Sequence, residues 1–190
     1  MIQILILAIL ILTNAFFAAS EIAFISLKDA KIDIMVKEGN SKAKKIKAML
    51  ENPSKFLATI QIGITLAGFL SSAFASESFA SELAPLLNKY IPIISISAWN
   101  SISIILITII LSYFTLVFGE LVPKRIGMKY CEKISLFSIT IIKSVSIITA
   151  PFVKFLTFST NIISKLFGVT GNDEEIVTEE EIRMMVDVGE

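Results

Sequence analysis

The chain contains no histidine and a single cysteine, Cys131. An internal disulfide is therefore excluded, and so is zinc bound in the usual way by imidazole and thiolate. Any metal held here is a hard cation that takes oxygen ligands. No nucleophile–base pair and no phosphate-binding loop stands out, so an enzyme is not expected. The net charge is zero over 190 residues. A basic face on a soluble fold, the footprint of nucleic-acid binding, is missing. Residues 1–20 carry no charge at all. What the chain has instead is apolar surface: 54% of its residues are hydrophobic and the mean hydropathy is +0.77. That composition belongs to membrane domains rather than soluble ones.

The first apolar run continues past Glu21 to Leu27. About 20 residues at 1.5 Å each cover the ~30 Å hydrocarbon core, so it is a span. A secretory signal with Ala18, Ala19 and Ser20 as its cleavage site is the competing reading. It lacks a positive n-region, and its apolar stretch is too long. Residues 28–55 hold Lys28, Lys31, Lys37, Lys42, Lys44, Lys45, Lys47 and Lys55. Ile32, Met35 and Val36, then Ile46, Met49 and Leu50, recur among them at helical spacing. This pattern predicts basic amphipathic helices on an anionic membrane face, with a solvated linker as the alternative.

Asn52-Pro53 supplies an N-cap and a first-turn proline for a second span, Ser54 to Ala75. Residues 76–99, with Glu77, Glu82, Pro85, Lys89 and Pro92, read as a broken outer loop holding at most one helix. A third span runs from about Ser101 to Leu121, and Lys124, Arg125, Lys129 and Lys133 follow it. The basic residues thus fall eight, one and four per loop. The positive-inside rule places 28–55 and 124–133 in the cytoplasm and the N-terminus outside.

The stretch 134–168 is apolar, but Lys143, Lys154 and Lys165 recur every 11 residues, on nearly one helix face. Pro151 divides it into pieces of about 16 residues, ~24 Å each, shorter than the hydrocarbon core. Two interfacial helices are expected, with a fourth span as the alternative. At Gly171 the chain turns acidic, and Thr178-x-x-Glu181 has the form of a capping box. The expected organisation is a transmembrane domain over 1–170 and, over 171–190, the lead-in to a cytoplasmic domain cut short at Glu190.

Polar groups within a span are costly unless partnered, so each is a functional candidate. They are Asn14, Ser20, Glu21 and Ser26 in the first span, Gln61 and Thr65 in the second, and Ser112, Thr115 and Glu120 in the third. Ser20 lies about 10 Å from the inner end of its helix, Gln61 at a similar depth, and Glu120 near the inner end of span three. In Gly119-Glu120-Leu121-Val122-Pro123-Lys124, Pro123 has no N–H, so the Gly119 carbonyl loses its helical partner. A free carbonyl beside a carboxylate suits a hard divalent cation such as Mg²⁺. The alternative is a plain helix end at the headgroups. Glu21, two turns inside span one, has Lys124 and Lys28 as candidates for a structural ion pair. In span two, Gly63, Ala67, Ser71 and Ala75 repeat every four residues beside Gly68-x-x-x-Ser72. That stripe suits close helix approach, between subunits or within one.

Three motifs in order resemble one family. They are Asn14-x-Phe16-Phe17-x-x-Ser20-Glu21-x-Ala23, Gln61-x-Gly63-x-Thr65-Leu66, and Gly119-Glu120-x-x-Pro123-Lys124. Together they resemble the DUF21 membrane domain of the CNNM/CorC magnesium transporters, older members of which carry a haemolysin-like label. The resemblance covers nearly the whole chain, and the acidic tail looks like the approach to that family's cytoplasmic CBS-pair module. It implies an all-α homodimer in the cell membrane, with three spans per subunit, a belt of interfacial helices and a cytoplasmic C-terminus. It further implies an inward-facing cavity for dehydrated Mg²⁺, with Na⁺-coupled export. Ser20 would supply a hydroxyl, Gly119 its carbonyl and Glu120 its carboxylate. Some members have an Asn ligand where this chain has Gly68, so Thr65 or nearby backbone would substitute. Asn14, Glu21, Gln61, Gly63, Gly68, Pro123 and Lys124 would give structural or gating support. Besides a second copy and Mg²⁺, the partners implied are membrane lipids and the CBS-pair domain. The functional rival is a membrane-anchored regulator that senses a cation without moving it. A pore-forming haemolysin fits less well, since such toxins are secreted soluble.

Overall fold

A computed structural model describes residues 2–93 and 95–167. Among the described residues the chain is all-helical. Helix α1 covers Ile2–Ile25, α2 Asp29–Lys37, α3 Ser41–Leu50, α4 Pro53–Tyr90 and α5 Ile96–Leu116. A π-helical turn, Val117–Leu121, leads into α6, Val122–Lys129, and α7 covers Cys131–Leu166. Contacts divide the chain into two units, one ending at Ala150 and the other beginning at Pro151.

In the larger unit α1 packs against α4, α6 and the π turn, while α5 packs against α4. The two short basic helices are present as the periodicity predicts. Gly39 ends α2 with φ +84°, a conformation that glycine adopts freely. Asn40 then caps α3, its side chain accepting from the backbone N–H groups of Lys42 (2.9 Å) and Ala43 (3.2 Å). Ile32, Met35, Ala43 and Ile46 point inward from this hairpin and join Phe17, Phe24, Phe56, Ile60, Ile139 and Ile142 in one core. The lysines stay on the outside because burying an unpaired ammonium costs far more than any packing gain.

Two boundaries differ from the expectation. Helix α4 does not stop near Ala75 but runs on through Glu77, Glu82 and Pro85 to Tyr90. Its buried side is a ladder of small residues, Ala67, Ser71, Ala75, Ala80 and Ala84, while Glu77 and Glu82 are exposed. The acidic residues therefore sit on the exposed face of a continuing helix and do not interrupt it. At 38 residues it is about 57 Å long, well beyond the ~30 Å hydrocarbon core. Likewise, Pro151 does not cut the last apolar stretch, since α7 remains one helix across it. Proline removes a single backbone N–H, whereas breaking the helix in apolar surroundings would strand several groups at once. Among the described residues four helical runs are consequently long and apolar enough to cross a membrane, where three were expected: Ile2–Ile25, Pro53–Tyr90, Ile96–Lys129 and Cys131–Leu166.

The small-residue stripe of α4 also finds a definite place. Ala67, Ser71 and Ala75 are buried within this one chain. A Cβ added at Gly63 would stand 2.7 Å from the Phe17 ring. The stripe is thus used in packing α4 inside the subunit and is not a free surface for a second copy. Gly68, on the neighbouring face, meets nothing within 4 Å. In the smaller unit, from Pro151 onward, the Thr157 and Ser159 hydroxyls donate to the carbonyls of Val153 (2.9 Å) and Phe155 (3.0 Å). The Thr178-x-x-Glu181 capping box and the whole of 171–190 lie outside the described residues.

Candidate cation site

The interruption predicted around Pro123 is a π turn. Here the Val122 N–H reaches back five residues to the Val117 carbonyl. One extra residue is thereby accommodated in the turn, so Gly119 and Glu120 are displaced from the regular helical path. Gly119 is buried. Its carbonyl is not left free, as expected, but accepts a hydrogen bond from the Asn14 side-chain amide of α1 at 3.1 Å. A carbonyl oxygen has two lone pairs, so one remains for another partner. A Cβ at Gly119 would stand 3.1 Å from Asn14 Nδ2 and 3.5 Å from the Thr115 methyl group. Glycine here lets α1 approach the turn closely enough for that bond.

The charged part of the site is a three-residue bridge. Lys124 Nζ lies 2.9 Å from Glu120 Oε1 and 3.4 Å from Glu21 Oε2. Glu120 and Lys124 are one helical turn apart, while Glu21 comes from α1, so one ammonium ties the two elements. The pairing of Glu21 with Lys124 was anticipated. That Glu120 also pairs was not, and Lys124 is in fact nearer to Glu120. All three side chains are largely shielded, at 18% exposure for Glu21, 28% for Lys124 and 35% for Glu120.

The elements that meet here also carry oxygen atoms without partners. The Asn14 Oδ1, Ser20 Oγ and Thr115 Oγ1 atoms are buried and make no hydrogen bond among the described residues. An unsatisfied buried polar group costs about 1–3 kcal/mol, so two hydroxyls and an amide oxygen on adjoining elements call for a ligand or ordered water. Asn14 and Thr115 both lie against Gly119. Ser20 is fully buried beside Glu21 in sequence but shares no hydrogen bond with the bridge. Thr65 and Gln61 are not joined to it either, and Gln61 is exposed. The open space at Gly68 means that α4 offers no side-chain ligand there. No group of three or more His, Cys, Asp or Glu gathers among the described residues. A cation held here would rely on two carboxylates supplemented by amide, hydroxyl and carbonyl oxygen, a donor set that suits Mg²⁺.

Sequence reasoning passed over Gly127. A Cβ at that position would overlap the Ala19 carbonyl of α1, so the backbones of α6 and α1 touch just beside Ser20. The only available signal was a glycine inside a helix, which usually marks a close approach.

Comparison with known sequences settles the family. The cyclin M transmembrane N-terminal domain matches residues 5–190. The chain belongs to this family. It is 38% identical over 181 residues to a UPF0053 protein of Synechocystis, covering 95% of this chain and 40% of that protein. With the UPF0053 protein YhdP of Bacillus subtilis it shares 29% over 187 residues, 97% of this chain and 42% of the relative. A Haemophilus influenzae relative, 26% identical over 191 residues with 98% and 42% coverage, is named a polyamine export protein. The chain thus spans about two-fifths of the length of the curated relatives it matches. The cyclin M domain therefore sits here as a multi-pass helical membrane domain whose interrupted helix carries the polar cluster.

Proposed function

We propose that this domain is the cation-handling part of a membrane transporter, with Mg²⁺ as cargo and Glu120, Glu21, the Gly119 carbonyl and Ser20 as its oxygen donors. The observation that carries this reading is the two-carboxylate bridge set against unpartnered buried oxygen atoms at a π turn. π turns inside helices recur at functional sites because they turn backbone groups away from the helical ladder. A divalent ion entering a low-dielectric site needs negative charge close by to offset its desolvation. Glu21 and Glu120 supply that charge, and Lys124 offsets half of it beforehand, leaving one net negative charge. The cation would displace the Lys124 ammonium, and its second charge would bring the two carboxylates to neutrality. Export coupled to Na⁺, a homodimer through a surface other than the α4 stripe, and α2 and α3 on the cytoplasmic side complete the proposal.

One observation favours a second cargo. The group already bridging the two carboxylates is a primary ammonium, and one relative is named a polyamine export protein. A polyamine presents the same group. Reconstitution into proteoliposomes, with Mg²⁺ and spermidine flux followed under an imposed Na⁺ gradient, separates the readings. Mg²⁺ flux lost in Glu120→Gln supports the first, and spermidine flux alone supports the second. Binding without flux of either would contradict transport and favour a sensing role.

A further inference from the structure

Away from the polar bridge, three lysines from three elements line one recess: Lys45 of α3, Lys55 of α4 and Lys143 of α7. The recess has a volume of about 190 Å³ and is also lined by Asn52, Phe56 and Ser146. None of the three lysines forms an ion pair among the described residues, although Lys31, Lys47 and Lys124 all do. Convergence of like charges without a counter-charge is unfavourable unless an anion relieves it. Lys55 sits in the first turn of α4, where the helix dipole disfavours a cation and favours an anion. Asn52 stands at the N-cap of α4, yet its side chain makes no capping hydrogen bond. Ser146 is only 7% exposed, and its hydroxyl has no partner among the described residues. Both leave a polar group turned to the recess and unused by the fold.

The rest of the lining identifies the kind of anion. Met49, Phe56 and Ile147 are apolar, and Ile147 and Ile148 are 67% and 76% exposed. A small dissolved phosphate has no use for such a wall, whereas a glycerophospholipid does. Basic recesses beside membrane helices hold anionic headgroups in this manner. We infer that the recess formed by Lys45, Lys55 and Lys143 is a discrete binding site for the phosphate of one anionic phospholipid. Its acyl chains lie along Ile147 and the neighbouring apolar surface. This site is more specific than a diffuse basic face, because the lysines of α2 take no part in it.

Native mass spectrometry of the full chain, released from micelles containing dimyristoylphosphatidylglycerol, tests this directly. The parent should retain one tightly held phosphatidylglycerol. Lys45→Gln/Lys55→Gln/Lys143→Gln should lower its affinity roughly a hundredfold, at a few-fold per lysine. Lys28→Gln/Lys42→Gln/Lys44→Gln, with the same change in net charge, should bind like the parent. The triple arginine variant of the recess keeps the charge and should retain the lipid, which guards against misfolding as the cause. Equal loss in both glutamine triples, or none in either, overturns the site. Displacement of the lipid by millimolar inorganic phosphate or glycerol 3-phosphate overturns the assignment to a lipid.

Discussion

Lys124 shares its ammonium between carboxylates from two elements, which makes it the residue whose replacement says most about the site. In Lys124→Met, Glu21 and Glu120 would face each other without a counter-charge. With all three groups partly solvated, the cost to stability should be about 1–2 kcal/mol. Added Mg²⁺ should recover that loss, because a ligand bound only by the folded state stabilises it. Melting curves with and without millimolar Mg²⁺ would show this, and Lys124→Arg should behave like the parent. At this scale much of the site was legible. Asn14, Glu21 and Glu120 were singled out because polar groups in an apolar run are costly, Gly119 and Pro123 because proline lacks an N–H, and Lys124 as a partner for Glu21. What the sequence could not convey was who partners whom. The Asn14 amide sits 105 positions from the Gly119 carbonyl it binds, and only packing of α1 on the π turn brings them together.

The helical elements were read well where amphipathic spacing was strong and poorly where polar residues were taken as breaks. The α2–α3 hairpin followed from periodicity, Gly39 and Asn40. Helix α4 was cut short because Glu77, Glu82 and Pro85 carry loop signals, although a helix leaving the membrane can present charges on its wet face. The hairpin also carries an exposed pair, Lys47 Nζ to Asp33 Oδ1 at 2.6 Å. The hydrogen bond and charge of Lys47 hold Asp33 below its ordinary value of 3.8. The same contacts raise Lys47 above 10.5. A depressed carboxylate contributes stability above its unfolded value and loses it as pH falls through the folded one. A raised lysine contributes below its unfolded value and loses it as pH rises through the folded one. Asp33→Asn should therefore lower the melting temperature slightly at neutral pH. The difference should vanish in strong acid and fade in 1 M salt, as a solvated pair must. Thermal denaturation of both proteins across pH checks this.

For the molecule as a whole, the question is how these helices are threaded. The eight-one-four distribution of basic residues is the ground for proposing α2 and α3 on the cytoplasmic side. Length and apolarity alone allow α7 to be a fourth crossing, which would put residue 172 outside. The proposed orientation keeps both on the inner side. Cysteine reporters at Lys42 and Asn172, on a Cys131→Ser background, should resist an impermeant thiol reagent in intact cells and react after permeabilisation. Labelling at Asn172 from outside would make α7 a span.

The account turns on a cation held at the carboxylate bridge, and calorimetric titration of Mg²⁺ into purified parent and Glu120→Gln measures that most directly. Glutamine keeps the shape of the side chain but removes one of the two negative charges that a dehydrated divalent ion requires. Glu77→Gln, on the exposed face of α4, serves as the control. The prediction is a steep loss of Mg²⁺ binding in Glu120→Gln and none in Glu77→Gln. Parent-like binding by Glu120→Gln would contradict the assignment and place the cation elsewhere.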